Sequence, residues 1–529
     1  MVRMYVVLGE ERGRIKLVST SKAEKRRNPG ILPKGSFLTV ETKNNKHILR
    51  VDESQQNEPY SPAPMLADMD LAPLRQDQKC QNIIYAYRIG EVNERTDGKI
   101  DYIPPQSLAR RSTQEEIDKV LNLTSKGPTV FLATVYAGKN QLLQDEQGHA
   151  IRVSLPDEMF YHQILVCGKT GSGKTVAMKY LAQYFVEDLS GYGAVLAVNV
   201  KDVDLLKMDK PSITPKPKLL KEWEELGQKP HGIENFTVYY PANSRIDPGQ
   251  GVNMKVCRRI TINVQQLDPD ALSGLMVGIS DIGAQHLPNI FRCWQEDPRR
   301  KGTDFSFRGF VEYFERGRRD NYTYETLNTR GDRLPVTLAW GTYENIMRSL
   351  QSAMEFFDNE NAETIDAQDI LVRGKMSVIN VAGEKGFQFG SVILRHLLKR
   401  IVAEKQSGNS DVPILIVIDE VHQFYDTSSS REALGVLDTI CRTGRNKKIA
   451  VIFSSQTPSD MPRGLFGVAN TKMFFKSDKG LARDYGIQVT SEEIQSLGKG
   501  YAIVDVQGLP QVRVLKFPLA LAGVFDGEE

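Results

Sequence analysis

The sequence predicts an α/β fold: a parallel sheet at the centre, a β-barrel ahead of it and a bundle of helices inserted into it. Three observations predict this. After residue 157, apolar runs without alternation recur: "QILV", "AVLAVNV", "MSVINV", "ILIVID" and "IAVIFS". Such runs suit parallel strands covered on both faces by helices. Before residue 157 the texture is short β-rich runs, "FLTVET", "KHILRVDE", "NIIYAYRIGEV", "TVFLATVYAG" and "HAIRVSLP", broken by Gly, Pro, Asn and Asp. That pattern suits a small barrel or sandwich. Between "AVLAVNV" and "MSVINV" lies a helical stretch with "DALSGLMVGISDIGAQHL", "FSFRGFVEYFERGRR" and "LAWGTYENIMRSLQSAMEFFDN". It reads as an all-helical insertion.

The smaller elements follow in order. The segment "DESQQNEPYSPAPMLADMDLAP" is an irregular connector. "STQEEIDKVLNL" is a short helix opening on a capping-box pattern, Ser112 with Glu115. Late in the chain, "TKMFFKSD", "GYAIVDV" and "QVRVLKF" are expected strands, and the acidic tail "AGVFDGEE" is expected to be poorly ordered unless it docks.

Composition bounds what the chain can be. At 529 residues it is too long for one core, so two to four domains are expected. Apolar content of 40% and charged content of 25% are those of a globular protein, and a net charge of only +2 requires any nucleic-acid contacts to be local. One local excess, Arg12, Arg14, Lys16, Lys22, Lys25, Arg26 and Arg27, reads as a solvated edge. The five cysteines, Cys80, Cys167, Cys257, Cys293 and Cys441, form no CxxC pair. That argues against a disulfide framework or zinc site and suits a reducing, cytoplasmic setting. The opening "MVRMYVVLGEERGR" is too short in apolar residues for a signal peptide, and no run is long enough to span a bilayer.

The chemistry concentrates in four places. "GKTGSGKT" matches G-x-x-x-x-G-K-[ST] over Gly168, Lys169, Thr170, Gly171, Ser172, Gly173, Lys174 and Thr175, with a strand before it and a helix after it. The glycines let backbone N–H groups turn inward around a phosphate, and the helix N-terminus adds its positive end. Lys174 is placed for the β- and γ-phosphates, and the Thr175 hydroxyl for Mg²⁺. "PILIVIDEVHQF" supplies Asp419 to hold that Mg²⁺ and Glu420 to polarise an attacking water. "IAVIFS" should lie beside the Asp419 strand, with Gln456 at its carboxyl end near the γ-phosphate and Ser454 and Ser455 on the polar rim. Arg442 and Arg445 precede that strand, so they lie on the opposite, amino-end side or on a protruding loop and can serve a neighbouring subunit instead. Arg445 is the slight favourite because Gly444 would let its loop protrude.

The P-loop, "VIDEVHQF", "CRTGRNKKIAVIFSSQTPSD", "VLAVNVKDVDLL" and "LGKGYAIVDVQGLPQVRVLKF" together resemble the HerA branch of the HerA/FtsK superfamily. The resemblance implies an N-terminal β-barrel at 1–156, a RecA-like P-loop ATPase core at 157–265 and 376–515, a helical-bundle insertion at 266–375 and a tail at 516–529. It implies a homo-hexamer that hydrolyses ATP with Mg²⁺ and moves double-stranded DNA. Its expected partner is a NurA-like nuclease, or a nuclease or NAD-hydrolase effector in antiphage defence. Lys174, Thr175, Asp419, Glu420 and Gln456 carry over to the nucleotide roles above, and Arg442 or Arg445 to the trans-acting arginine. The chain departs from the family at "CRTGRNKK" and at "NVKDVD", where Asp202 and Asp204 either replace a strand aspartate or cap a helix, the cap being favoured. "AGEKGFQFG", with Lys385, and "KMDKPSITPKPKLLK" are candidate channel loops or solvated surface. Two other functions compete with the DNA motor. One is a nucleotide-dependent ring scaffold that activates a partner enzyme. The other is a conjugation or secretion coupling ATPase, a class that usually carries N-terminal membrane helices.

Overall fold

The computed structural model describes residues 5–19, 32–43, 45–57, 81–92, 102–121, 126–136, 138–189, 191–201, 203–242, 251–276, 278–297, 305–382, 384–421, 444–457, 467, 469–477, 490–509 and 513–526. They fall into two compact units. The first comprises residues 1–157, 171–173 and 473–518, and the second residues 158–170, 174–472 and 519–529.

In the first unit, β1 (Tyr5–Glu11), β2 (Arg14–Ser19), β3 (Phe37–Glu41), β4 (Lys46–Asn57), β5 (Gln81–Glu91) and β6 (Leu108–Arg111) close a barrel in the order β1-β2-β5-β4-β3-β6. Alternation sends every second side chain inward, and Val7, Leu17, Leu38, Val40, Leu49, Val51 and Ile84 fill the interior. The barrel ends at Arg111, well short of residue 156. There the chain turns into α1 (Gln114–Val120), capped by Thr113 and Glu116, one residue later than expected. The shift follows from Glu116, whose carboxylate is taken by Arg110 at 2.6 Å and by Thr39 at 2.8 Å, while Ser112 turns to Thr39. The strands β7 (Thr129–Tyr136), β8 (Lys139–Leu142) and β9 (Arg152–Ser154) were expected in the barrel. They instead join β20 (Tyr501–Asp505) and β21 (Val514–Lys516), with Leu515 opposite Leu132. The apolar face of Ala133 needs Ile494, Leu497, Tyr501 and Ile503 to cover it. A further strand, β19 (Thr471–Phe475), neighbours β20.

The second unit is built on β10 (Ile164–Cys167), β11 (Ala194–Asn199), β12 (Asn235–Pro241), β13 (Cys257–Ile260), β16 (Lys375–Asn380), β17 (Ile414–Ile418) and β18 (Ile449–Ser455). Their order is β13-β12-β16-β11-β17-β18-β10, and every pairing is parallel. All residues of β10, β11, β17 and β18 are buried, as non-alternating apolar runs require. The flanking helices include α2 (Lys174–Glu187) and α3 (Pro217–Leu226).

The inserted stretch carries α4 (Pro269–Leu272), α5 (Asp281–Gln295), α6 (Phe307–Arg316), α7 (Trp340–Ala353) and α8 (Ala367–Ile370). Its core is aromatic: Phe310 lies 4.9 Å from Phe291 and 5.2 Å from Trp294, and Phe314 stacks on Tyr324 at 4.7 Å. It is not wholly helical. A hairpin of β14 (Thr323–Leu327) and β15 (Arg333–Thr337) turns at Asn328, whose side chain accepts from Arg330 N and Asp332 N.

Three other expectations are corrected. "AGEKGFQFG" is not a loop: its backbone opens α9 (Glu384–Ser407). Gly390 serves close packing there, since a Cβ would stand 2.0 Å from Val381 Cγ1. No helix begins at Asp204, which lies in a turn, and Asp202 lies outside the described residues. The tail does dock. Trp223 Nε1 donates to Leu519 O (2.8 Å), Ser212 N to Leu521 O (2.8 Å) and Ile213 N to Val524 O (2.8 Å). Lys216 pairs with Asp526 at 2.9 Å, so the lysine-rich stretch 207–221 forms part of the tail's seat.

Candidate nucleotide site

The register of the parallel sheet brings its carboxyl ends into line. Cys167 stands opposite Ser455, Phe453 opposite Ile418, Ile418 opposite Val198, and Asn199 opposite Asn380. Ligands of such sheets bind at this edge. The loop from β10 to α2 leaves the edge with Gly168 N donating to Ser455 O at 3.3 Å. Gly171 (φ 78) and Gly173 (φ 102) are left-handed, a conformation that glycine takes without steric cost. Within the first unit, Gly500 N donates to Ser172 O (2.9 Å), and a Cβ on Gly173 would stand 2.8 Å from Gly500 N. This close approach was not foreseen from the sequence. Lys174 is buried, and its Nζ donates to Gly168 O (2.5 Å) and Lys169 O (3.3 Å), arching back over the loop. Burial pushes the Lys174 ammonium below its ordinary pKa, while Glu420 and Asp419 pull the other way.

The acids arrive from β17, which is separated from β10 by β18 and is not its direct neighbour. Asp419 Oδ2 accepts from Thr175 Oγ1 at 3.2 Å. Its Oδ1 accepts from Glu420 N (2.9 Å) and from the buried Ser454 hydroxyl. Ser454 thus fixes the acid's rotamer and does more than fill the rim. Glu420 is buried and left-handed (φ 48), and its Oε1 accepts from Gln456 Nε2 (3.3 Å) and Lys201 Nζ (2.8 Å). The expected residues Lys174, Thr175, Asp419, Glu420 and Gln456 therefore meet at one edge. Lys201 was missed, although its place just past β11 put it at the same edge as Gln456. A threonine hydroxyl and a carboxylate oxygen, two hard oxygen donors converging beside a phosphate loop, fit Mg²⁺, which takes few protein ligands and completes its shell with phosphate and water.

Arg445 stands exposed in the turn Gly444–Lys447 at the amino end of β18, on the side opposite the loop, and its charge is felt by His162. Gly444 is buried and opens the turn, and the left-handed residue there is Lys448 (φ 54). Protrusion therefore does not come from the glycine. Arg442 lies outside the described residues.

This fold and site define a P-loop nucleotide-binding protein built on a parallel sheet. Within that class the chain resembles the HerA helicases, in aligned sequence as well as in motifs. It is 28% identical over 131 residues to the DNA double-strand break repair helicase HerA of Pyrococcus furiosus, covering 22% of this chain and 24% of that protein. It is 22% identical over 244 residues to the helicase of the same name from Sulfurisphaera tokodaii, covering 41% and 49%. Among solved structures, the bacterial conjugative coupling protein TrwBdeltaN70 is similar with a TM-score of 0.46 at 14% identity, covering 78% of this chain and 92% of that one. No family model matches the chain. The matched stretch spans at most about half the length of either helicase. Among the described residues no helix is long and apolar enough to cross a membrane.

Proposed function

We propose that the chain is a cytoplasmic, Mg²⁺-dependent ATPase that works as a homo-hexamer and translocates double-stranded DNA. Its proposed partner is an effector such as a NurA-like nuclease or a NAD-hydrolase or nuclease of antiphage defence. The observation that carries the nucleotide reading is the convergence of Lys174, Thr175, Asp419, Glu420 and Gln456 at the carboxyl edge of one sheet. The DNA reading rests on similarity to proteins named as DNA break repair helicases.

The chain's own groups have distinct tasks. The backbone N–H groups of Gly168 to Thr175 and the Lys174 ammonium hold the β- and γ-phosphates. Thr175 and Asp419 hold Mg²⁺, which when bound offsets charge on the phosphate oxygens. Ser454 keeps Asp419 aimed. Glu420 accepts a hydrogen bond from the attacking water and Gln456 orients it. Arg445, at the amino end of β18 and so on the side opposite its own loop, or Arg442 completes the site of the next subunit.

The test is turnover with and without duplex DNA. Lys174→Ala should lose binding and hydrolysis, whereas Glu420→Gln should keep nucleotide binding and lose hydrolysis. Wild-type turnover should rise with duplex DNA, and affinity for the duplex should fall with salt at a log–log slope of about −0.9 per phosphate contacted. Hydrolysis indifferent to DNA would favour a ring scaffold over a motor.

A further inference from the structure

Lys201 stands in the site without a part in the chemistry above. It follows β11 at the carboxyl edge, and its Nζ lies 2.8 Å from Glu420 Oε1. The two partners are unequal. The Glu420 side chain is only 5% exposed, its N–H is held by Asp419 and Ser454, and its backbone sits in the left-handed region, whereas the Lys201 side chain is 40% exposed. Non-glycine residues held in that region cluster at active sites and switches. Glu420 is therefore the fixed member and Lys201 the movable one.

An ammonium against the carboxylate opposes the task assigned to Glu420. A carboxylate oxygen that already accepts from Lys201 and Gln456 has less capacity, and less uncompensated charge, with which to polarise water. The charge of Lys201 also reaches Lys174, where it adds to the depression of that ammonium. The two ammonium groups thus share one local field. A γ-phosphate bound against Lys174 brings an anion into the same field and offers Lys201 a competing partner.

We propose that Lys201 is a positioning residue that brakes hydrolysis. It clamps the Glu420 carboxylate in an ion pair, and turnover requires that pair to open toward the phosphate. The proposal rests on the nucleotide-site reading above. A merely structural role predicts something different, because a pair with one half-exposed partner contributes little to stability and would leave kcat unchanged.

The experiment is steady-state ATP hydrolysis by the full chain in the absence of DNA, over a range of ATP concentrations. Lys201→Met should raise kcat about fivefold, equivalent to about 1 kcal/mol, with a smaller change in KM. Lys201→Arg, which keeps the charge, should stay within about twofold of wild type. Lys201→Gln must move kcat in the same direction as Lys201→Met, so a folding failure of one variant does not leave the question open. Glu420→Gln and the double variant with Lys201→Met should be equally inactive. A kcat at or below wild type in both Lys201→Met and Lys201→Gln overturns the brake, and an inactive Glu420→Gln alongside leaves the site reading standing. A Glu420→Gln variant that turns over normally overturns both.

Discussion

Replacing Lys179 by methionine should flatten the alkaline stability profile. Lys179 lies on α2, one turn past Thr175, and its ammonium donates to Gly523 O at 2.7 Å. Burial pushes its pKa down to about 8, with Asp204 and Asp419 pulling weakly the other way. The folded pKa is thus below the unfolded value of 10.5. Below pH 8 both states hold the proton, and the folded state bears the cost of a buried charge. Between pH 8 and 10.5 the unfolded state binds more protons, so stability rises with pH. Linkage over pH 8 to 10 gives a gain of about 2 kcal/mol from this group. Lys405, also lowered to about 8, contributes to both proteins alike, so the difference curve isolates Lys179. Equilibrium urea unfolding of wild type and Lys179→Met at pH 8, 9 and 10 measures it. Parallel curves would refute the buried ammonium.

Two further outcomes are expected. Gly173→Ala should weaken nucleotide binding at least tenfold in a fluorescent-nucleotide titration, because a Cβ there meets φ 102 and Gly500 N at 2.8 Å. Mixing inactive Arg445→Ala (or Arg442→Ala) with inactive Lys174→Ala should restore some ATP hydrolysis. In the proposed hexamer, mixed rings would pair an intact loop with an intact arginine, and arginine fingers are worth about 10³ to 10⁵ in rate. Confirmed mixed rings without activity would count against action in trans.

What was legible in the sequence was local. The run from β10 through Gly168–Thr175 into α2 carries its chemistry within a few residues. Asp419 and Glu420 follow directly on "ILIVI", so strand and site were read together. Gln456 was placed by the rule that strands end at the ligand, and its bond to Glu420 agrees with that. What escaped depends on pairings far along the chain. Nothing near "TVFLATVYAG" says that its partner is Val514–Lys516 and not the barrel. The capping box slipped by one because Arg110 claims Glu116, a contact that spacing alone does not reveal. "AGEKGFQFG", with Lys385, follows a strand and was expected to be a loop. At Gly390 the missing side chain makes room for Val381, and the backbone stays helical. Lys201 is one charge among several in "NVKDVD", and its partner Glu420 lies 219 positions further on.

The bond from Lys179 to Gly523 joins residues 344 positions apart. During synthesis the carbonyl that solvates the Lys179 ammonium is made long after the helix that carries both Lys179 and Thr175. At ordinary elongation rates the interval is roughly 20 to 70 seconds. Through that time a charge bound for a dry site has no acceptor from the tail, and the seat around Trp223 lacks Leu519 and Leu521. The helix that follows the phosphate loop is therefore made long before the groups that complete its surroundings.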